Sequence, residues 1–119
     1  MKPEHQPLEH LLHATKWSMQ GFKAAWTYEV SFRMEVIASL FIIPLALYWG
    51  ENNVEKVLLC GVWLLVLVVE LLNSAVEAVV DRVGLEQHEL SGRAKDLGSA
   101  AVLLCNMMFV GTWSLLLLT

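Results

Sequence analysis

Cysteine is nearly absent: Cys60 and Cys105 are the only two in 119 residues, and both lie inside apolar runs. They read as small buried hydrophobes rather than a disulfide framework or a metal pair. Proline is scarce too. Pro3 and Pro7 fall in a polar N-terminal stretch that predicts a frayed tail, and only Pro44 stands inside an apolar run. Cations are in deficit, with 8 Lys and Arg against 12 Asp and Glu and a net charge of −4. That balance argues against a nucleic-acid partner held by phosphate contacts. There is no Gly-x-x-x-x-Gly-Lys-Ser/Thr phosphate loop and no protein-kinase motif. His88 has no His or Cys partner at ligand spacing, so it makes no zinc-type site by itself. The first residues hold no compact apolar segment, so no cleavable signal peptide is expected and insertion is expected through internal helices. No repeat, low-complexity tract or second domain is visible, and 1–119 reads as a single integral-membrane domain.

What the chain does have is apolar surface. Hydrophobic residues make up 56% of it, and its mean hydropathy is +0.54. A soluble core of this size could not hide three long apolar runs. From Leu8 a helical period begins: Leu8, Leu11, Leu12, Thr15, Met19, Phe22 and Trp26 share a face, while His10, Lys16, Gln20 and Lys23 lie mostly on others. This predicts an amphipathic helix over about 8–26, suited to the membrane interface; the bland alternative is a soluble helix packed on a core. A first span is expected over about 30–49, with Glu29, Arg33 and Glu35 at its mouth, Pro44 as a kink and Tyr48 and Trp49 as an aromatic belt. Glu29 and Arg33 are spaced for an i, i+4 ion pair. After a polar turn, Gly50 to Lys56, a second span is expected over about 57–80. A polar segment, Asp81 to Asp96, follows, and then a third span over about 97–118. Gly98, Ser99, Ala100 and Ala101 at its start favour close helix contact.

The fold class is therefore an all-α membrane protein, an N-terminal amphipathic surface helix plus three transmembrane helices in a bundle assembled as an oligomer. Lys2, Lys16, Lys23 and Arg33 precede or open the first span, Arg82, Arg93 and Lys95 follow the second, and the first turn has only Lys56. This bias puts the N-terminus and the 81–96 segment in the cytoplasm and the C-terminus outside.

The uncharged run Val57 to Val69 leads straight into Glu70, Asn73, Glu77 and Asp81. At about 100° per residue these four fall within roughly 80° of one another, a polar stripe on a greasy helix. Ionisable groups at membrane depth mark functional sites by default. The carboxylates could hold Mg²⁺ together with substrate phosphates, one could serve as a general base, or the stripe could be only a seam that glues helices. The stretch Glu86-Gln87-His88-Glu89-Leu90-Ser91-Gly92-Arg93-Ala94-Lys95-Asp96 mixes both signs. Lys95 suits a phosphate as a point charge, although a solvated loop is the plain alternative.

Glu70-Leu-Leu-Asn-Ser-Ala-Val-Glu-Ala-Val-Val-Asp-Arg82, followed by His88-Glu-Leu-Ser-Gly-Arg-Ala-Lys-Asp-Leu-Gly-Ser-Ala-Ala-Val102, closely resembles the prokaryotic integral-membrane diacylglycerol kinase family. Ala24-Ala25-Trp26, Glu29, Phe32-Arg33 and Glu35 resemble its first conserved block, and the likeness covers about residues 14 to 104. The resemblance implies a homotrimer of the bacterial inner membrane with active sites shared between subunits. It implies transfer of the γ-phosphoryl of ATP to the hydroxyl of diacylglycerol, with related members preferring undecaprenol. Matched residue by residue, it implies Glu70 as general base with Asn73 beside it, and Glu29 and Glu77 as carboxylates for Mg²⁺ with the ATP phosphates. Lys95 matches a phosphate contact and Asp96 a nucleotide contact, while Glu86, Gln87 and His88 match the segment that approaches the nucleotide. His10 and Trp17 stand at nucleotide-side positions, His10 where the family often has arginine and Trp17 where it has tyrosine. Lys23, Ala24, Ala25, Trp26, Ser31, Phe32, Arg33, Met34, Glu35, Tyr48, Lys56, Glu70 and Ser99 match the lipid route, with Met34 in place of a common glutamine and Tyr48 of a tryptophan. From another class of function, a proton-coupled transporter subunit would use intramembrane glutamates as a relay, and an assembly protein would use the seam to oligomerise.

Overall fold

The computed structural model describes residues 6–119. They form four α-helices: α1 (Pro7–Tyr28), α2 (Val30–Trp49), α3 (Asn53–Val83) and α4 (Glu89–Leu117). Among the described residues there is no strand. The tail expected over residues 1–7 lies mostly outside the described residues. α2, α3 and α4 are each long and apolar enough to cross a membrane.

Short connections set the antiparallel order. Glu29 is a one-residue break (φ −112°, ψ 103°) that closes α1 and opens α2. Arg33 supports that break. Its guanidinium donates to the carbonyls of Trp26 at 3.1 Å and Thr27 at 3.3 Å, satisfying last-turn oxygens that α1 leaves without helical partners. The ion pair expected from Glu29 to Arg33 is therefore not made, because the bend at Glu29 turns the guanidinium towards α1. At the next connection Gly50 is buried. A Cβ there would lie 2.6 Å from Lys56 Cγ and 3.0 Å from the Ala46 carbonyl, so only glycine lets the chain turn so closely. Asn52 caps α3, its Oδ1 accepting from the Glu55 N–H at 2.9 Å, and the Glu55 carboxylate accepts from the Glu51 N–H.

The third connection is shorter than the sequence implies. The polar segment expected over 81–96 is mostly helix. α3 continues to Val83, and α4 starts at Glu89, where His88 Nδ1 accepts from the Leu90 N–H at 3.1 Å. Polar side chains mark where lipid ends, and they do not end a helix whose residues form helices well. Pro44 lies within α2, which continues as helix on both sides of it.

α3 and α4 pack antiparallel along most of their length. Trp63 meets Phe109 with ring centroids 5.0 Å apart, and Trp113 Nε1 donates to the Leu59 carbonyl at 3.0 Å. Trp63 Nε1 donates to Ser39 Oγ of α2 at 2.8 Å, tying in the third helix. Trp63, Val66 and Cys105 form the core, with Ala38, Ile42, Ile43, Leu67, Val69 and Phe109 packed on it. Cys60 and Cys105 are free thiols; Cys105 is buried as expected, whereas Cys60 is only half-buried.

Most of the apolar surface stays uncovered within the chain, including Leu40, Phe41, Leu64, Leu103 and Met107. Lipid or other helices must cover it. The apolar face of α1 is also open: Leu8, Leu11, Leu12, Met19 and Phe22 are exposed and only Ala25 is buried. α1 is thus no helix packed on a soluble core, and its open face suits a membrane surface.

Candidate active site

The expected stripe forms on the last four turns of α3. Glu70 is buried, the only charged side chain that is among the described residues. One turn on, Asn73 Nδ2 donates to Glu77 Oε1 at 3.2 Å, while Asn73 Oδ1 is buried and finds no partner among the described residues. Asp81 follows one turn after Glu77 and takes Lys95 of α4, Nζ to Oδ1 at 2.8 Å. The Glu77 charge is close enough for Lys95 to feel it as well. From Glu70 to Asp81 the stripe rises about 16 Å along the helix axis.

α2 brings two more carboxylates to the same end of the bundle. Glu29 and Glu77 each lie within electrostatic reach of Glu70, and Glu35 lies within reach of Glu70 too. Glu35 Oε1 is buried without a hydrogen-bond partner among the described residues. Four glutamates, with Lys95 near Glu77 at one end, make a strongly negative corner that favours a cation. Among the described residues no three His, Cys, Asp or Glu side chains gather so as to hold a metal alone. Pairs of carboxylates and stray buried oxygens do fit an ion that brings phosphate oxygens with it, as Mg²⁺ does.

Two hollows adjoin this corner. One, of about 500 Å³, lies between the end of α3 and the start of α4 and is lined by Asp81, Gly84, Glu86, Gln87, His88 and Lys95, among others. It gathers four residues expected to approach a nucleotide; Asp96 is exposed and is not among its lining residues. The other, of about 590 Å³, is an apolar groove between α1 and α3. Phe22, Ala24 and Ala25 line it on one side, Ala75 and Ala78 on the other, and Glu29 borders it.

Other expected site residues are not brought together within one chain. His10 and Trp17 sit far back on α1, Trp17 edge-on to His10 at 6.4 Å and stacked on His13 at 5.7 Å. His10 is 19 residues before Glu29, about 28 Å along a helix. Tyr48 and Lys56 lie at the opposite end of the bundle, Lys56 roughly 21 Å along α3 from Glu70. Lys23, Trp26, Ser31, Met34 and Ser99 are exposed, whereas Phe32 is buried in the chain at 4% exposure. Arg33 spends its guanidinium on α1. Sequence reasoning left Asp81 without a role and missed its bond to Lys95, because fourteen residues and a turn separate them. The polar character of both positions was the available signal.

These features define a small helical membrane protein with an acidic corner beside a polar hollow and an apolar groove. A family model for prokaryotic diacylglycerol kinase matches residues 16–117, and the chain belongs to that family. It is 54% identical to the diacylglycerol kinase of Haemophilus influenzae over 95 residues, 80% of each chain. It is 49% identical to that of Escherichia coli K12 over 107 residues, 90% of this chain and 88% of the relative. It is 46% identical to that of Pseudomonas aeruginosa over 111 residues, 93% of this chain and 90% of the relative.

Proposed function

We infer that the protein is a diacylglycerol kinase that moves the γ-phosphoryl of MgATP onto the lipid hydroxyl at the cytoplasmic face of a bacterial inner membrane. The product is phosphatidic acid. The observation that carries this reading is the meeting, at one end of the bundle, of the α3 carboxylates, Lys95 and the polar hollow. A proton relay has use for the glutamates but none for a lysine beside an open polar hollow. The excess of Lys and Arg at that end supports a cytoplasmic side, where ATP is, with the N-terminus there and the C-terminus periplasmic.

The diacylglycerol hydroxyl lies at headgroup level, and the α1–α3 groove offers its acyl chains an apolar lining. Glu70 takes the hydroxyl proton as the oxygen attacks the γ-phosphorus. The bond from that phosphorus to the bridging oxygen breaks, ADP leaves, and Glu70 passes the proton to water. Glu29 and Glu77 would hold Mg²⁺ through its open positions, and the ion when bound offsets charge on the phosphates. Lys95 supports the same phosphates, with Asp96, Glu86, Gln87 and His88 towards the nucleotide. The protein's work is placement and charge balance. His10 and Trp17, remote in one chain, would reach a neighbour's nucleotide in the homotrimer that the resemblance implies, and the uncovered apolar helix faces are compatible with such packing.

The test is purified protein with MgATP and either diacylglycerol or undecaprenol in mixed micelles. Phosphatidic acid is the expected product. Undecaprenyl phosphate alone would move the assignment to the undecaprenol kinase alternative, and no phosphorylated lipid from either would overturn the kinase reading.

A further inference from the structure

The α3–α4 interface narrows at Gly98. A Cβ built there would lie 2.1 Å from Asn73 Oδ1 and 3.2 Å from Asn73 Cγ. No other glycine within a helix behaves this way: at Gly21, Gly61, Gly92 and Gly111 an added Cβ meets nothing within 4 Å. The close approach is therefore specific to one side chain of the acidic corner and is not a general feature of glycines in these helices.

We propose that Gly98 is a positioning residue for the metal-phosphate end of the site, its missing Cβ making the space in which the Asn73 amide holds the Glu77 carboxylate. The proposal rests on the reading of Glu77 as a metal carboxylate. Asn73 has little freedom to retreat. Its Nδ2 donates to Glu77 Oε1 at 3.2 Å, and reversing the amide would set two oxygens against each other at that distance. With Nδ2 committed to Glu77, Oδ1 must face α4, where it is buried and has no partner among the described residues. Leaving a carbonyl oxygen so is costly. The α-hydrogen that replaces Cβ in Gly98 points at this oxygen, a weak contact that any side chain would abolish. Gly98 thus acts on Glu77 through Asn73, as residues behind metal ligands commonly do.

The experiment is a double-mutant cycle on purified protein in micelles. Mn²⁺ with a non-hydrolysable ATP analogue serves as the paramagnetic probe, and thermal midpoints are recorded alongside. Gly98→Ala is expected to weaken Mn²⁺ binding about tenfold or more, with the KM for diacylglycerol unchanged. Asn73→Ala should weaken it too. In that background Gly98→Ala should do nothing further, because Asn73 Cβ sits 3.9 Å from the added methyl, an ordinary contact. If Gly98→Ala alone does not fold, recovery of folding by Asn73→Ala, with the Mn²⁺ affinity of Asn73→Ala alone, supports the proposal. A lower midpoint with unchanged Mn²⁺ affinity, additive losses, or a double variant that fails to fold would each overturn it. Glu77→Gln separates the two claims. If that variant binds Mn²⁺ normally, the metal reading fails and takes the proposal with it. If Glu77→Gln weakens binding and Gly98→Ala does not, only the proposal fails.

Discussion

Lys95 reaches across the α3–α4 turn to Asp81, Nζ to Oδ1 at 2.8 Å, and this contact sets the lysine over the end of the carboxylate stripe. Both side chains are about half exposed, so the pair contributes little to stability and is screened by salt. Its value is in where it leaves the ammonium. We predict that Asp81→Asn raises the KM for MgATP several-fold while the thermal midpoint hardly moves. Steady-state kinetics at varied MgATP check this; an unchanged KM would show that Lys95 needs no such anchor.

Glu70 is the buried carboxylate of the corner, and the reading makes it the base. Glu70→Gln keeps the side chain's shape but cannot serve as a base. The expected loss in kcat is about 10²–10⁴-fold, with the helical circular dichroism spectrum and the thermal midpoint retained. Full activity in this variant would remove Glu70 from the chemistry.

The hub of the core ties α3 to α2 through two short bonds, and Phe109 of α4 packs on the same indole. Trp63 Nε1 donates to Ser39 Oγ at 2.8 Å, and Ser39 Oγ donates to the Glu35 carbonyl at 2.8 Å. Trp63→Phe removes the first bond and leaves a gap beside Phe109. A loss of about 1–3 kcal/mol is expected. Trp113→Phe should cost less, because the Leu59 carbonyl it releases still sits within the helical ladder of α3. Unfolding in mixed micelles of the two variants decides the order; equal losses would contradict it.

At the α1–α2 break the Arg33 guanidinium spans two carbonyls at once. Arg33→Ala should free the end of α1 at a cost of about 1 kcal/mol. Amide hydrogen exchange near Trp26 to Glu29 should quicken, with the α3–α4 interface unaffected. If exchange there is unchanged, the contact contributes nothing to α1, and Arg33 is left to the lipid-route role that the resemblance gives it.

Much of this molecule was legible in its residues. The spacing of Leu8 to Trp26 marks an amphipathic helix, and the uncharged runs mark three spans, because helical period and lipid thickness act on consecutive residues. Glu70, Asn73 and Glu77 were legible as a stripe for the same reason. The spans' outer ends were not. Asp81 to Asp96 reads as a polar connection, yet all but residues 84–88 is helix, since polarity reports water and not backbone conformation.

What the sequence by itself determined was which residues face one way along each helix and where lipid gives way to water. Tertiary structure decided what the helices bring to one another: Lys95 to Asp81, Gly98 to Asn73, Trp63 to Ser39, and Arg33 to the end of α1 in place of Glu29. Such pairings depend on the register of antiparallel helices and on the direction of one bend. Both are set by packing summed over many contacts between distant residues, which no local spacing encodes.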